Sequence, residues 1–235
     1  MSADRLNECL IVALDVPDIN SAKKLVEQIG DAVCFYKIGL ELMVSGEYFS
    51  LIKWLKRNNK KVFADLKLYD ISETVGRSVA NLAQHEVDLL TIHTASRGIM
   101  ESAAKNKGAM QVIGVTVLTN IDQKDLNEMG FDTKISLQDL VAKKTAMALE
   151  SGLNGIVASA LEASDLRQKF GKDFLIVSPG IRLQAVANDD QKRIADVKIA
   201  LKSGSSHLVV GRPITREADP KSAAQRFQQL ITDFS

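Results

Sequence analysis

The chain has 235 residues, of which 46% are hydrophobic and 25% charged, with a formal net charge of +1. This is the composition of a globular protein with a sizeable core. The near-zero balance gives no bulk attraction to nucleic acid or to an anionic membrane, so any anion has to be held by a local site.

Short apolar runs alternate with longer amphipathic stretches along the whole sequence. Cys9–Leu14 reads as a first strand, followed by a helix over Ser21–Ile29 with Ala22, Leu25, Val26 and Ile29 at helical spacing. Val33–Ile38 is a second strand. Gly39–Met43 and Tyr48–Arg57 are helical, the latter with Phe49, Ile52 and Leu55 on one face. The third strand opens at Val62 and carries charge at its end, in Asp65, Lys67 and then Asp70. Residues two apart on a strand share a face, so Asp65 and Lys67 point one way and Leu66 and Leu68 the other. A lone pair of this kind can simply satisfy itself at a strand end. Asp70 makes that plain reading less comfortable.

Ile71–Gln84 follows as a helix, then the strand Val87–His93, the helix Arg97–Asn106 and the strand Met110–Leu118. A polar stretch, Asn120–Lys134, precedes the helix Leu137–Glu150. Strand Gly155–Ala158 leads to helix Leu161–Phe170, and strand Leu175–Ser178 to a loop from Gly180 to Asp190 and a helix over Gln191–Lys202. Strand His207–Val210 and a helix beginning near Pro213 and resuming at Asp219 end the chain. Eight strand–helix units with no linker between them predict an α/β fold, a single-domain (β/α)8 TIM barrel spanning 1–235, rather than an open doubly wound sheet.

Cys9 and Cys34 lie in apolar runs without metal-ligand or disulfide spacing, and read as core thiols of a reducing compartment. Met1-Ser2-Ala3-Asp4-Arg5 lacks a signal-peptide pattern, and no apolar run approaches the roughly 20 residues that span a bilayer. The expectation is a cytoplasmic protein with neither a membrane nor a nucleic-acid partner. No glycine fingerprint of a dinucleotide site and no phosphate loop of a nucleotide hydrolase occurs.

In such a barrel the function sits at the C-terminal ends of the strands. Those ends carry Asp15, Lys37, Asp65 with Lys67 and Asp70, His93, Thr119, Ser159, Arg182 and Gly211-Arg212. Simpler roles exist for several: Asp15 as a helix cap, Lys37 at the barrel rim, His93 as a satisfied strand-end histidine, and Ser159 as the cap of the next helix. Gly211-Arg212-Pro213 is different. Glycine lets backbone approach an anion, a helix start offers oriented N–H groups, and arginine clamps oxygens in pairs. Barrel enzymes often hold phosphate after strands seven and eight, and the loop bearing Arg182, with Gln191 beyond it, can close over the same anion. With no His/Cys cluster and no activated serine, the chemistry is electrostatic proton transfer or a lysine Schiff base.

The run Asp65-Leu66-Lys67-Leu68-Tyr69-Asp70-Ile71 resembles the D-x-K-x-x-D-I signature of the orotidine 5′-monophosphate decarboxylases. Leu14-Asp15, Lys37-Ile38-Gly39-Leu40-Glu41, Val117-Leu118-Thr119, Ser178-Pro179-Gly180-Ile181-Arg182 and Val210-Gly211-Arg212-Pro213 fall in that family's order and spacing across nearly the whole chain. The resemblance implies decarboxylation of orotidine 5′-monophosphate to uridine 5′-monophosphate, the last step of de novo pyrimidine nucleotide synthesis, with no cofactor and no metal. It implies that Lys67 protonates C6 and that Asp65 orients the charge network. Lys37 and Asp15 hold the ribose hydroxyls, and Thr119 contacts the substrate. Arg182, Gln191, Gly211 and Arg212 bind on the phosphate side, and Pro179 is a further substrate-binding residue. Asp70 and Thr74 reach the site of a partner subunit, which makes the functional unit a homodimer. Tyr69, Ser72-Glu73 and Asn120 depart from the residues common in the family at those places.

Alternatives of other kinds stand beside this one. A related phosphosugar decarboxylase or aldolase on the same barrel would need a metal or a trappable Schiff base on Lys37 or Lys67. A noncatalytic phosphate-binding barrel would use Gly211-Arg212 but leave the clustered charges unexplained.

Overall fold

A computed structural model describes residues 8–183 and 195–234. Eight parallel strands close into a barrel: β1 (Leu10–Ala13), β2 (Phe35–Gly39), β3 (Lys61–Leu68), β4 (Leu89–His93), β5 (Gln111–Val115), β6 (Gly155–Val157), β7 (Leu175–Ser178) and, after the short pair β8 (Ile181–Arg182) and β9 (Ala195–Asp196), β10 (His207–Val210). Closure is made by the first and last barrel strands, which pair Leu10 with Leu208, Ile11 with Val209 and Val12 with Val210. The helices α1 (Ile19–Ile29), α2 (Leu40–Val44), α3 (Tyr48–Arg57), α4 (Ser72–Gln84), α5 (Arg97–Asn106), α6 (Gln123–Glu128), α7 (Leu137–Glu150), α8 (Ala160–Phe170), α9 (Val197–Lys202), α10 (Arg212–Thr215) and α11 (Pro220–Asp233) follow the strands.

Two cores result from the strand alternation. Ile11, Ala13, Phe35, Phe63, Leu89, Ile113, Val177 and Val209 fill the barrel. Their neighbours Leu10, Val12, Tyr36, Ile38, Val62 and Ala64 pack outward against the helices. Because both faces of each strand are buried, the strands read as continuous apolar runs. The interior plug lies low in the barrel, so the charged residues above it line the mouth.

Local chemistry sets several boundaries. Asp18 caps α1 by accepting the Ser21 N–H at 2.8 Å, which leaves Asp15 free to serve elsewhere. Ser159 caps α8 in a reciprocal box with Glu162, the role expected for it. On α3 the buried residues are Tyr48, Leu51, Ile52 and Leu55. Phe49, expected inward, instead lies against the His85 ring at 4.4 Å on the outer side. The helix expected over Gln191–Lys202 begins at Val197, because Ala195–Asp196 pairs in parallel with Ile181–Arg182. Gln191 lies outside the described residues. The polar stretch after β5 contains α6, closed at its start by a capping box of Asp122 and Asp125. Among the described residues, no helix is long and apolar enough to cross a membrane.

Candidate active site

The mouth of the barrel opens into a cavity of about 660 Å³, within the range that holds small ligands. Asp15, Lys37, Asp65 and Lys67 form one wall, and Pro179, Gly180, Arg182, Gly211 and Arg212 another, with Thr119 between. Each of these residues lies within a barrel strand or in the segment that follows one, which is why residues far apart in sequence meet here.

The first wall is a row of alternating charges. Lys37 Nζ donates to Asp15 Oδ1 at 2.8 Å and stands 3.5 Å from Asp65 Oδ2. Lys67 Nζ lies 2.9 Å from the same Asp65 oxygen. Two carboxylates and two ammoniums balance, so the wall is neutral as a whole and strongly polar in detail. Asp65 and Lys37 are largely enclosed, with side-chain exposures of 13% and 12%, whereas Asp15 is 58% exposed. Burial opposes the charged form of Asp65. The Lys37 and Lys67 ammoniums, with hydrogen bonds from Lys67 and Thr91, outweigh it and hold the carboxyl below its ordinary pKa. Burial likewise opposes the Lys37 ammonium, and the Asp65 and Asp15 carboxylates overcome it and raise its pKa.

The backbone beneath this wall is unusual. Lys67 has φ +47°, a left-handed conformation that costs a non-glycine residue about 1–2 kcal/mol. The β3–β4 ladder shifts register between Ala64 and Leu68. Bulges of this kind re-aim side chains next to active sites. Without it, Lys67 would sit in an ordinary pleat, and its reach toward Asp65 would be set by strand geometry alone.

The second wall, which meets the first where Gly211 approaches Asp15, is cationic. Arg182 is buried, with its guanidinium donating to the Ile181 carbonyl at 3.0 Å, and it still lines the cavity. Gly180, at φ +74°, makes the turn that brings it there, a conformation natural to glycine. Gly211 precedes α10, which has only four residues. Its dipole is therefore slight, and the positive charge at that corner comes from side chains, Arg212 and Arg216. Arg216 and Thr215 also face the cavity. Sequence reasoning passed over them because they lie beyond the Gly-Arg-Pro motif, one helical turn along.

Asp70 and Thr74 stand apart. Asp70 is exposed and accepts the Ile71 N–H at 2.6 Å, Thr74 is half-buried at the start of α4, and neither lines the cavity of its own chain. His93 ends β4 half-buried, 5.8 Å from the Tyr69 ring. Burial, with the Lys144 and Lys67 charges, lowers its pKa, so it stays neutral at pH 7. Thr91 on β4 was missed by sequence reasoning. Its hydroxyl donates to Asp65 Oδ1 at 2.8 Å, and an isolated threonine in an apolar strand carries no sign of this. Among the described residues, no group of three or more His, Cys, Asp or Glu side chains is placed to hold a metal ion.

The comparisons with known proteins agree with one another. The orotidine 5′-phosphate decarboxylase / HUMPS family matches residues 8–227. The chain is 49% identical over 232 residues to the orotidine 5′-phosphate decarboxylase of Methylococcus capsulatus, covering 98% of this chain and 93% of that one. It is 45% identical over 234 residues to that of Nitrobacter winogradskyi, covering 98% and 95%. The crystal structure of orotidine 5′-phosphate decarboxylase from Lactobacillus acidophilus superposes with a TM-score of 0.85 at 32% identity, over 95% of this chain and 99% of that chain. A family match over residues 8–227, with a charged wall in which Asp65 and Lys67 of the D-x-K run join Asp15 and Lys37, leads to one conclusion: the chain belongs to the orotidine 5′-phosphate decarboxylase / HUMPS family.

Proposed function

We propose that this barrel decarboxylates orotidine 5′-monophosphate to uridine 5′-monophosphate, in pyrimidine nucleotide synthesis, and that residues 1–235 act as one catalytic domain. The observation that carries the reading is that the Asp15–Lys37–Asp65–Lys67 row lines a single cavity together with Arg182 and Arg212. The two walls suit the two ends of such a substrate. Arg182, Arg212, Gly211 and Pro179 take the phosphate, Gln191 is expected to join them, and Thr119 faces the base. Asp15 and Lys37 take the ribose hydroxyls.

The chemistry then follows from charge. Cleavage of the C6–carboxylate bond releases carbon dioxide and leaves an electron pair on C6. No adjacent carbonyl absorbs that pair. The Lys67 ammonium, already fixed by Asp65, stabilises the charge as it develops and transfers a proton to C6. The product carries a C6–H bond, and the neutral lysine recovers its proton from solvent. Asp65 lies beside the departing carboxylate, and its repulsion there is offset by the two lysines. Phosphate binding on the cationic wall supplies energy that is realised at the reacting end.

We infer further that the working unit is a homodimer. Leu40, Met43, Val44, Tyr69 and Ile71 are large exposed apolar side chains that follow the neighbouring strands β2 and β3. Tyr69 and Ile71 flank Asp70, which is exposed and does not line its own cavity, and association there would let Asp70 and Thr74 complete the partner's site. The reading also keeps the chain in the cytoplasm, among other enzymes of nucleotide synthesis.

The test is turnover of orotidine 5′-monophosphate by the purified chain, followed by loss of substrate absorbance with EDTA present. Conversion to uridine 5′-monophosphate is expected. A folded protein that leaves the substrate intact would sink the reading. Activity that returns only with added divalent metal would favour the phosphosugar-type chemistry instead.

A further inference from the structure

Thr91 lies on β4, fully buried, opposite the irregular part of β3. The ladder pairs Ala64 with Leu90 and then Leu68 with Ile92. Asp65, Leu66 and Lys67 therefore face a single residue, Thr91. A bulge of this kind leaves backbone groups without ladder partners. The Lys67 N–H is one of them, and it donates to Thr91 Oγ1 at 2.9 Å. The same hydroxyl donates its own proton to Asp65 Oδ1 at 2.8 Å. The other oxygen of that carboxylate, Oδ2, faces the Lys67 ammonium at 2.9 Å. These contacts form a closed ring from the Lys67 backbone through Thr91 and Asp65 to the Lys67 side chain. A hydroxyl can accept and donate at once, which no isosteric apolar group can do.

We propose that Thr91 is a positioning residue for the decarboxylation, its hydroxyl fixing where the Lys67 ammonium stands by tying the bulged backbone to Asp65. The proposal rests on the role assigned to Lys67 above. Without the hydroxyl, the Lys67 N–H loses its partner and Asp65 loses a donor on the side away from the lysines. The bulged backbone at Lys67 is then no longer held to Asp65 and is free to shift, and the ammonium moves with it. The phosphate grip through Arg182 and Arg212 lies on the other wall and is untouched. The loss therefore falls on the chemical step rather than on substrate capture.

The test compares steady-state kinetics of wild type, Thr91→Val and Thr91→Ser, with thermal unfolding of each. Thr91→Val keeps the volume and removes the hydroxyl. Its kcat is expected to fall about 10- to 100-fold, the scale of a misplaced reacting group, while KM stays within about threefold. Thr91→Ser restores the hydroxyl and is expected to recover most of kcat. Thr91→Ala makes the same deletion with less bulk and serves if the valine variant does not fold. Undiminished kcat in Thr91→Val, or equal losses in the serine and valine variants, would overturn the positioning role while leaving the function intact. Absence of turnover by wild type would overturn the functional reading itself, and this role with it.

Discussion

Replacing Lys67 by alanine and by glycine separates what this residue does for catalysis from what it costs the fold. Removing a preorganised cationic donor costs about 10²–10³ in rate. Removing the proton donor costs about 10²–10⁴. One group supplies both, so the two effects do not simply multiply. A loss of about 10⁴ or more, ~5.5 kcal/mol at 1.36 kcal/mol per tenfold, is the expectation for either variant.

Stability runs differently. At φ +47°, alanine keeps a strain of about 1–2 kcal/mol that glycine lacks. Glycine gives back about 0.4–1 kcal/mol through the greater freedom of its unfolded chain. Lys67→Gly is therefore expected to be more stable than Lys67→Ala by up to ~1.5 kcal/mol, the reverse of the order at ordinary positions. Both variants lose the ion pair with Asp65, but that carboxylate keeps Lys37 at 3.5 Å and Thr91 at 2.8 Å, so it is not stranded. Urea unfolding at equal m-value gives the stability difference, and the absorbance assay gives the rate. An alanine variant more stable than the glycine variant would refute the strain argument. Turnover within tenfold of wild type in either would refute Lys67 as proton donor. Both variants are expected to bind the product nucleotide.

Three other expectations follow from the same geometry. Arg212→Ala should weaken binding of uridine 5′-monophosphate about 10²-fold or more, the scale for truncating one partner of a charge pair, and binding of uridine hardly at all. Equal losses for nucleotide and nucleoside, measured by calorimetry, would count against a phosphate contact. Ile71→Asp, at the exposed apolar rim, should shift the chain toward monomer in sedimentation and reduce activity with it. A fully active monomer would remove the dimer from the mechanism. At the base of the barrel, burial pushes the His207 imidazole down to about 4, against about 6.5 when unfolded, and among the described residues Nδ1 has no hydrogen-bond partner. The unfolded chain therefore takes up a proton that the folded chain refuses. Stability should fall by about 3 kcal/mol as pH drops from about 6.5 to about 4. His207→Gln should flatten that slope in pH-dependent urea unfolding, and an unchanged slope would show that other groups carry it.

Alternation of strand and helix, and with it the eightfold count, was legible in the sequence because side-chain periodicity is a local property. Strand-end charges were legible for the same reason: Asp15, Lys37, Asp65, Lys67 and Arg212 stand where apolar runs stop, and all of them line the cavity. Boundaries that depend on a distant partner were not. Ala195–Asp196 left the expected helix because it pairs with Ile181–Arg182, and Phe49 turned outward because His85 offers it a ring at the end of another helix. The largest difference lies in the D-x-K run. As a plain strand it places Asp65 and Lys67 on one face by period two. The tertiary structure adds a bulge, a left-handed Lys67 and the Thr91 hydroxyl that holds both. Register between neighbouring strands is set by contacts far apart in the chain, so the sequence alone determined that Asp15, Lys37, Asp65, Lys67 and Arg212 belong to the strand ends, while only the tertiary structure brought Arg216 to the cavity, left Asp70 out of it and, by packing β3 against β4, decided how Lys67 is aimed.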